Sequence, residues 1–161
     1  MSKRTVLVVT ALVVIAAVAS ASFAQENAWF NPKKCAMCAG FVEVPGLLES
    51  VNHEHLPISN GIVCVSTVDD QQLKAYRQAH AKMQGVVARM QKGEAVELCG
   101  SCAAMGQIMA KGVTQDYVET QHGDVWVVTS TTPAVVSELQ AWAKRNNEEM
   151  AKMKAAPQKK G

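Results

Sequence analysis

The stretch Val51-Asn-His-Glu-His-Leu-Pro-Ile-Ser-Asn-Gly-Ile-Val-Cys-Val-Ser-Thr67 alternates in polarity on both sides of a central glycine. A second stretch, Val113-Thr-Gln-Asp-Tyr-Val-Glu-Thr-Gln-His-Gly-Asp-Val-Trp-Val-Val-Thr129, aligns with it without a gap at an offset of 62. Gly61 falls on Gly123, Val63 on Val125, Val65 on Val127 and Thr67 on Thr129. Alternation around Asn60-Gly61 and His122-Gly123 predicts two β-hairpins with two-residue turns, which need positive φ at both turn positions. Self-similarity at a fixed offset predicts an internal duplication. Pairing across each turn places Leu56, Ile58, Val63 and Val65 on one face, read as the core face. His53, His55, Pro57, Ile62, Cys64 and Ser66 then share the other, matched by Tyr117, Glu119, Trp126 and Val128.

Outward from the hairpins the same order repeats. Asp69-Asp70 and Thr131-Thr132 are positioned to cap helices, with Pro133 in the first turn of the second. Leu73, Tyr76, His80, Met83, Val87 and Met90 recur at steps of three and four, a single helical stripe running to about Lys92. Val135, Val136, Leu139, Trp142 and Ala143 mark the second helix. Upstream of each hairpin lies a C-x-x-C pair, Cys35-Ala-Met-Cys38 and Cys99-Gly-Ser-Cys102, at an offset of 64. The expected fold class is α+β. Duplicated helix-hairpin-helix repeats at 25–92 and 93–153 form one four-stranded antiparallel sheet packed with helices, and a disordered tail follows at 154–161. Repeats of about 60 residues bury too little surface to fold well alone, so the two halves are expected to share a core.

The 161 residues are 48% hydrophobic and 19% charged, which excludes a disordered, collagen-like or coiled-coil chain. A formal charge of +2 with no basic stripe excludes a nucleic-acid binder. Lys3 and Arg4, the uncharged apolar run Val6 to Ala19 and Ser22-Phe23-Ala24 read as a secretory signal peptide at 1–24. Its apolar run is shorter than the ~20 residues needed to span a bilayer, so no stable membrane insertion is expected after cleavage. Removing it takes away Lys3 and Arg4 and leaves the chain formally neutral. The expected location is the periplasm or the exterior of the cell.

Export changes what five cysteines mean, because an oxidising compartment lets disulfides persist. A C-x-x-C at a helix start favours thiolate, which is both the attacking species in disulfide exchange and a ligand for soft metals. Val96-Glu97-Leu98 reads as a strand entering the second pair. That order resembles thioredoxin locally, although Pro133 leads into a helix and no proline loop faces the motif. For redox chemistry the candidates are Cys99, Cys102, Cys35 and Cys38. For a metal, the candidates are Cys35 and Cys38 with Cys64 or a histidine from the His53/His55 face. Residues i and i+2 on a strand share a face, and Cys64 sits on that face of the paired strand. Thiolate and imidazole suit copper(I) or zinc. Gln115, Tyr117 and Trp126 replace the histidines and Cys64 in the second repeat, so Cys99 and Cys102 are expected to bind more weakly. His80, Met105 and Met109 read as core residues more readily than as ligands.

The C-A-M-C motif, the glycine-centred hairpin, Ile62-Val-Cys-Val-Ser-Thr67 and the Asp-capped helix with Leu73 and Tyr76 together resemble the YHS/TRASH metal-binding modules. They are also similar to NosL-type copper-delivery proteins. The resemblance spans most of 35–80 and, more faintly, 99–145. It implies metal trafficking or sensing, with Cys35, Cys38 and Cys64 at the matching positions and a metal-donor or metal-acceptor protein as partner. The aromatic pair that precedes the family's third cysteine is absent here, as is a fourth cysteine in the helix. Three functions follow: an exported copper or zinc binder, a thiol–disulfide or thiol-transfer protein, or a partner-binding module with two inert disulfides. No ordered Ser-His-Asp set, acid/base carboxylate pair or phosphate-binding glycine loop points to a hydrolase or kinase.

Overall fold

The structure, a computed structural model, describes residues 28–155. The expected signal peptide and the end of the charged tail lie outside the described residues. The described elements are α1 (Ala39–Val42), α2 (Leu47–Ser50), β1 (Asn52–Ile58), β2 (Gly61–Thr67), α3 (Leu73–Gln91), α4 (Gly100–Met109), β3 (Thr114–Thr120), β4 (Gly123–Thr129) and α5 (Pro133–Ala155). The fold is α+β with one four-stranded antiparallel sheet in the order β1-β2-β4-β3. Lys154 and Ala155 belong to α5, so the charged tail begins later than its lack of periodicity suggests. Val96-Glu97-Leu98 is not a strand; the Ala36 N–H joins it to the first half by donating to the Glu97 carbonyl at 2.9 Å.

Both hairpins close over two residues, with Ile58 paired to Gly61 and Thr120 to Gly123. The loops are therefore Ser59-Asn60 and Gln121-His122, one residue earlier than expected, and among the described residues no non-glycine residue takes a positive φ. Gly61 and Gly123 serve a different purpose. They begin β2 and β4 at the two ends of the ladder that joins these strands, paired to Thr129 and Thr67. A Cβ on Gly61 would stand 2.0 Å from the Val128 carbonyl oxygen, and one on Gly123 2.0 Å from that of Ser66. Close backbone approach at the sheet centre demands glycine at both places.

Among the described residues, helices cover one face of the sheet only, and it is the opposite face from the one expected. Ile62, Cys64, Ser66, His55, Asp124 and Val128 are buried, whereas Leu56 is 46% exposed and Val118 58%. Strand alternation made both faces apolar, so counting aliphatic residues could not choose between them. The covered face wins because its polar members find partners as well. Asp124 accepts from Tyr76 Oη at 2.6 Å and Tyr117 Oη at 3.0 Å, and His80 Nε2 lies 3.3 Å away. Burial of a carboxylate is tolerable only when such donors replace water.

Two apolar clusters flank this polar layer. Phe41, Leu47, Val51, Val68, Tyr76 and Ala79 form one under α3. Ile62, Cys64, Met105, Ile108, Val128, Val135, Leu139 and Ala143 form the other beneath α4 and α5. The α3 stripe is narrower than its periodicity suggested: Tyr76, Ala79 and Val86 are buried and Val87 is exposed. The long helices cross over. α5 packs on β1 and β2, while α3 reaches β3 through Arg77 to the Thr120 carbonyl and His80 to Tyr117, and β4 through Tyr76 to Asp124. An Ile62→Ala substitution should cost about 2–5 kcal/mol, as for other buried Ile→Ala changes, and Leu56→Ala well under that. Urea midpoints of the two variants check which face is the core.

Candidate metal centre

The N-terminal segment brings the two C-x-x-C pairs together. Backbone N–H groups of Gly100 and Ser101, two of the orphan donors at the start of α4, donate to the carbonyls of Ala28 and Trp29. Trp29 Nε1 and Ser101 Oγ both donate to Asn146 Oδ1 on α5, at 2.8 and 2.9 Å. Trp142 Nε1 donates to the Ser101 carbonyl at 3.0 Å, and the Arg145 guanidinium lies 3.8 Å over the Trp29 ring. These bonds lay residues 28–36 along the start of α4 and set Cys35 and Cys38 against Cys99 and Cys102.

The four Sγ atoms all lie within 4.8 Å of one another, with Cys38 and Cys102 at 4.0 Å. Four thiolates about 2.3 Å from a tetrahedral zinc ion stand about 3.8 Å apart, so the cluster is close to the dimensions a metal needs. Cys35 and Cys99 are each 2% exposed; Cys38 and Cys102 are half-buried at the rim. Cys99 is the N-cap of α4, as its place in the motif suggested, whereas Cys35 precedes a turn and Cys38 caps only the four-residue α1. All five cysteines are free thiols.

Charge in the cluster is unequally shared. Cys35 is lowered to about 6, chiefly by hydrogen bonding to Cys102 and then Cys38, with the Cys99 N–H also donating to its sulfur. Cys99 is held well below the usual thiol range by Cys102, Cys35 and Cys38, and by the Cys102 backbone N–H. Cys102 is pushed up by its three sulfur neighbours. Cys38 is pushed up too: Cys102 lowers it, but Cys35, Cys99 and burial outweigh that pull. The four sulfurs thus share protons through one another, and thiolate character is favoured at Cys35 and Cys99 over Cys38 and Cys102. A divalent cation neutralises that charge and displaces those protons.

The other expected ligands lie elsewhere. Cys64 packs among Met105, Ile108 and Leu139 of the apolar cluster, and burial, with Asp124 nearby, pushes its thiol up to about 12. His53 Nδ1 is 3.0 Å from Ser66 Oγ, and His55 Nδ1 is 3.0 Å from Asn147 Oδ1. No histidine belongs to the four-thiol cluster. The reason is topological. α4 and α5 lie over the His55/Cys64 face, and the first C-x-x-C passes to the start of α4 without crossing that face. Cys99 and Cys102 therefore stand in one cluster with Cys35 and Cys38. Two C-x-x-C pairs in one short chain are themselves the signal for a shared four-ligand site; Asn146 carries no comparable sequence signal.

Burial lowers His53 to about 4, with His55, His80 and Lys154 adding to the effect and Asp124 opposing it. A histidine whose folded pKa is depressed stabilises the fold above its unfolded value of about 6.5 and loses that contribution as pH falls toward 4. Denaturant midpoints should therefore drop between pH 6.5 and about 4, and His53→Gln should flatten that part of the profile.

No family model matches the chain, and no curated protein or solved structure matches it.

Proposed function

We propose that this is an exported soft-metal binding and trafficking protein that holds one zinc(II) or copper(I) ion on Cys35, Cys38, Cys99 and Cys102. The observation that carries the reading is the convergence of four sulfur atoms from two distant motifs within 4.8 Å. Four sulfur donors near tetrahedral dimensions favour zinc, with copper(I) the competing soft ion. A closed four-thiolate site leaves no open position for substrate, which suits storage, delivery or structural support and not metal catalysis. In this reading the two halves of the chain are repeats of one helix–hairpin–helix unit, each supplying one ligand pair to a single shared ion. A metal-donor or metal-acceptor protein is the partner, met in the periplasm or outside the cell after signal-peptide cleavage.

Elemental analysis of full-length protein purified under reducing conditions, beside a thiol count, tests the reading. One zinc or copper ion per chain is expected, with five titratable thiols once the metal is removed and the chain unfolded. Protein that retains no metal under these conditions and takes none up on titration refutes it.

The 4.0 Å Cys38–Cys102 approach favours a second reading, thiol–disulfide exchange. Here two thiols lose two electrons and two protons to a partner disulfide, which leaves as a dithiol while a sulfur–sulfur bond forms in this chain. A redox-active pair in protein without metal supports that reading over the first.

A further inference from the structure

The sheet face that no described helix covers is apolar across all four strands. The strand register draws two rows across it: Glu54, Val65, Val125 and Val118, then Leu56, Val63, Val127 and Asp116. Alternation keeps both rows on one side, opposite the buried Ile62, Cys64, Ser66 and Val128. The rows are related by the offset of 62 that aligns the hairpins, so Glu54 answers to Asp116 and Leu56 to Val118. Half-buried valines fill the centre. Exposed Leu56 and Val118 stand at two opposite corners, Glu54 and Asp116 at the other two.

The area suits a second sheet. With a rise of about 3.3 Å per residue and strands about 4.8 Å apart, four seven-residue strands present about 440 Å² in projection. Continuous apolar patches of more than a few hundred Å² mark interaction sites. Two such faces cover about 880 Å² in projection, and side-chain relief lifts the accessible area above the ~1,000 Å² of a specific interface. Valine-lined sheets interdigitate with one another at a spacing of about 10 Å.

Charge suits a second copy of this chain. Turning a copy over about an axis along the strands sets Glu54 opposite Val118 and Leu56 opposite Asp116. An axis across the strands sets Glu54 opposite Leu56 and Asp116 opposite Val118. Either twofold axis matches carboxylates to aliphatic corners and not to one another. Pro57 lacks a donor for the free edge of β1, which disfavours lateral growth of the sheet there. We propose that the chain forms a homodimer, with two sheets stacked face to face through Leu56, Val63, Val65, Val118, Val125 and Val127. The thiol clusters, on the helix-covered side, stay outside this interface, so the dimer does not depend on the metal reading.

Sedimentation equilibrium of the full chain tests this, under reducing conditions so that no disulfide joins two copies. A reversible monomer–dimer equilibrium in the micromolar range is expected. Leu56→Glu and Val118→Glu each meet a carboxylate whichever axis the dimer uses, and symmetry repeats the clash. Each should raise the dissociation constant about 100-fold or more. Val118→Lys meets Glu54 or Asp116 instead and should stay within about threefold of wild type, since a rim ion pair is worth little. All three changes lie at exposed positions, and Leu56→Glu carries the test if Val118→Glu fails to fold. A wild-type chain that is monomeric throughout overturns the proposal. So does a dimer that Leu56→Glu leaves intact, as association through the β3 edge or the helices predicts, or equal loss with Val118→Lys and Val118→Glu. Failure of the four-thiol reading shows separately, as absent metal in a chain whose dimerisation is unchanged.

Discussion

Replacing Cys35 and Cys38 by serine should abolish tight zinc or copper(I) binding, and replacing Cys99 and Cys102 should do so to the same extent. The expectation from the hairpin residues alone was unequal loss, because only the first repeat adds His53, His55 and Cys64. The geometry removes that asymmetry. All four sulfurs lie within 4.8 Å of one another, so in the proposed site each pair supplies half of one coordination shell. Structural zinc sites bind with an apparent free energy of about 10–16 kcal/mol near neutral pH, so losing half the ligands should weaken affinity by about a thousandfold or more. The bound ion also joins residues far apart in the chain, so binding adds to folding free energy. At a free metal concentration of about a thousand times Kd it contributes about 4 kcal/mol, and chelation should lower the melting temperature of wild type accordingly. Competition with a chromophoric chelator checks affinity, and calorimetry checks the shift. Acid should release the metal as the thiolates take up protons. Two independent metal equivalents, each lost with only one pair, would defeat the shared site.

Asn146→Ala should be the most damaging single change away from the cysteines. Asn146 is 1% exposed and accepts from both Trp29 Nε1 and Ser101 Oγ. Its truncation leaves two donors without an acceptor at about 1–3 kcal/mol each, so roughly 2–6 kcal/mol of stability should go. A second effect separates this from ordinary core damage. Trp29 belongs to the segment that carries Cys35 and Cys38 to α4, so metal affinity should fall as well. Leu139→Ala, a core truncation worth about 2–5 kcal/mol, should lower stability comparably yet leave affinity near wild type. If both variants bind metal with unchanged affinity, Asn146 has no part in building the site.

Much of this protein is local in origin and was legible in its residues. Alternation around Gly61 and Gly123 marked both hairpins, spacing from Leu73 onward marked α3, and Cys99 was recognisable as a helix start. These features depend on neighbours within a few positions, where periodicity and capping act directly. The class α+β and the four-stranded antiparallel sheet follow from adding such pieces. Tertiary structure decided the rest. Which sheet face is covered turned on whether Asp124, Ser66 and His55 would find partners on other strands and helices, information no strand carries about itself. The glycines mattered for the close backbone approach of the paired strands β2 and β4, not for a turn position. The thiol cluster was decided at longest range: Cys35 and Cys38 lie with Cys99 and Cys102, away from Cys64 and the histidines, where Asn146, Trp29 and Ser101 tie residues 28–36 to the start of α4. Motif spacing states which thiols are close in sequence, and only the packing of α5 over both halves states which are close in space.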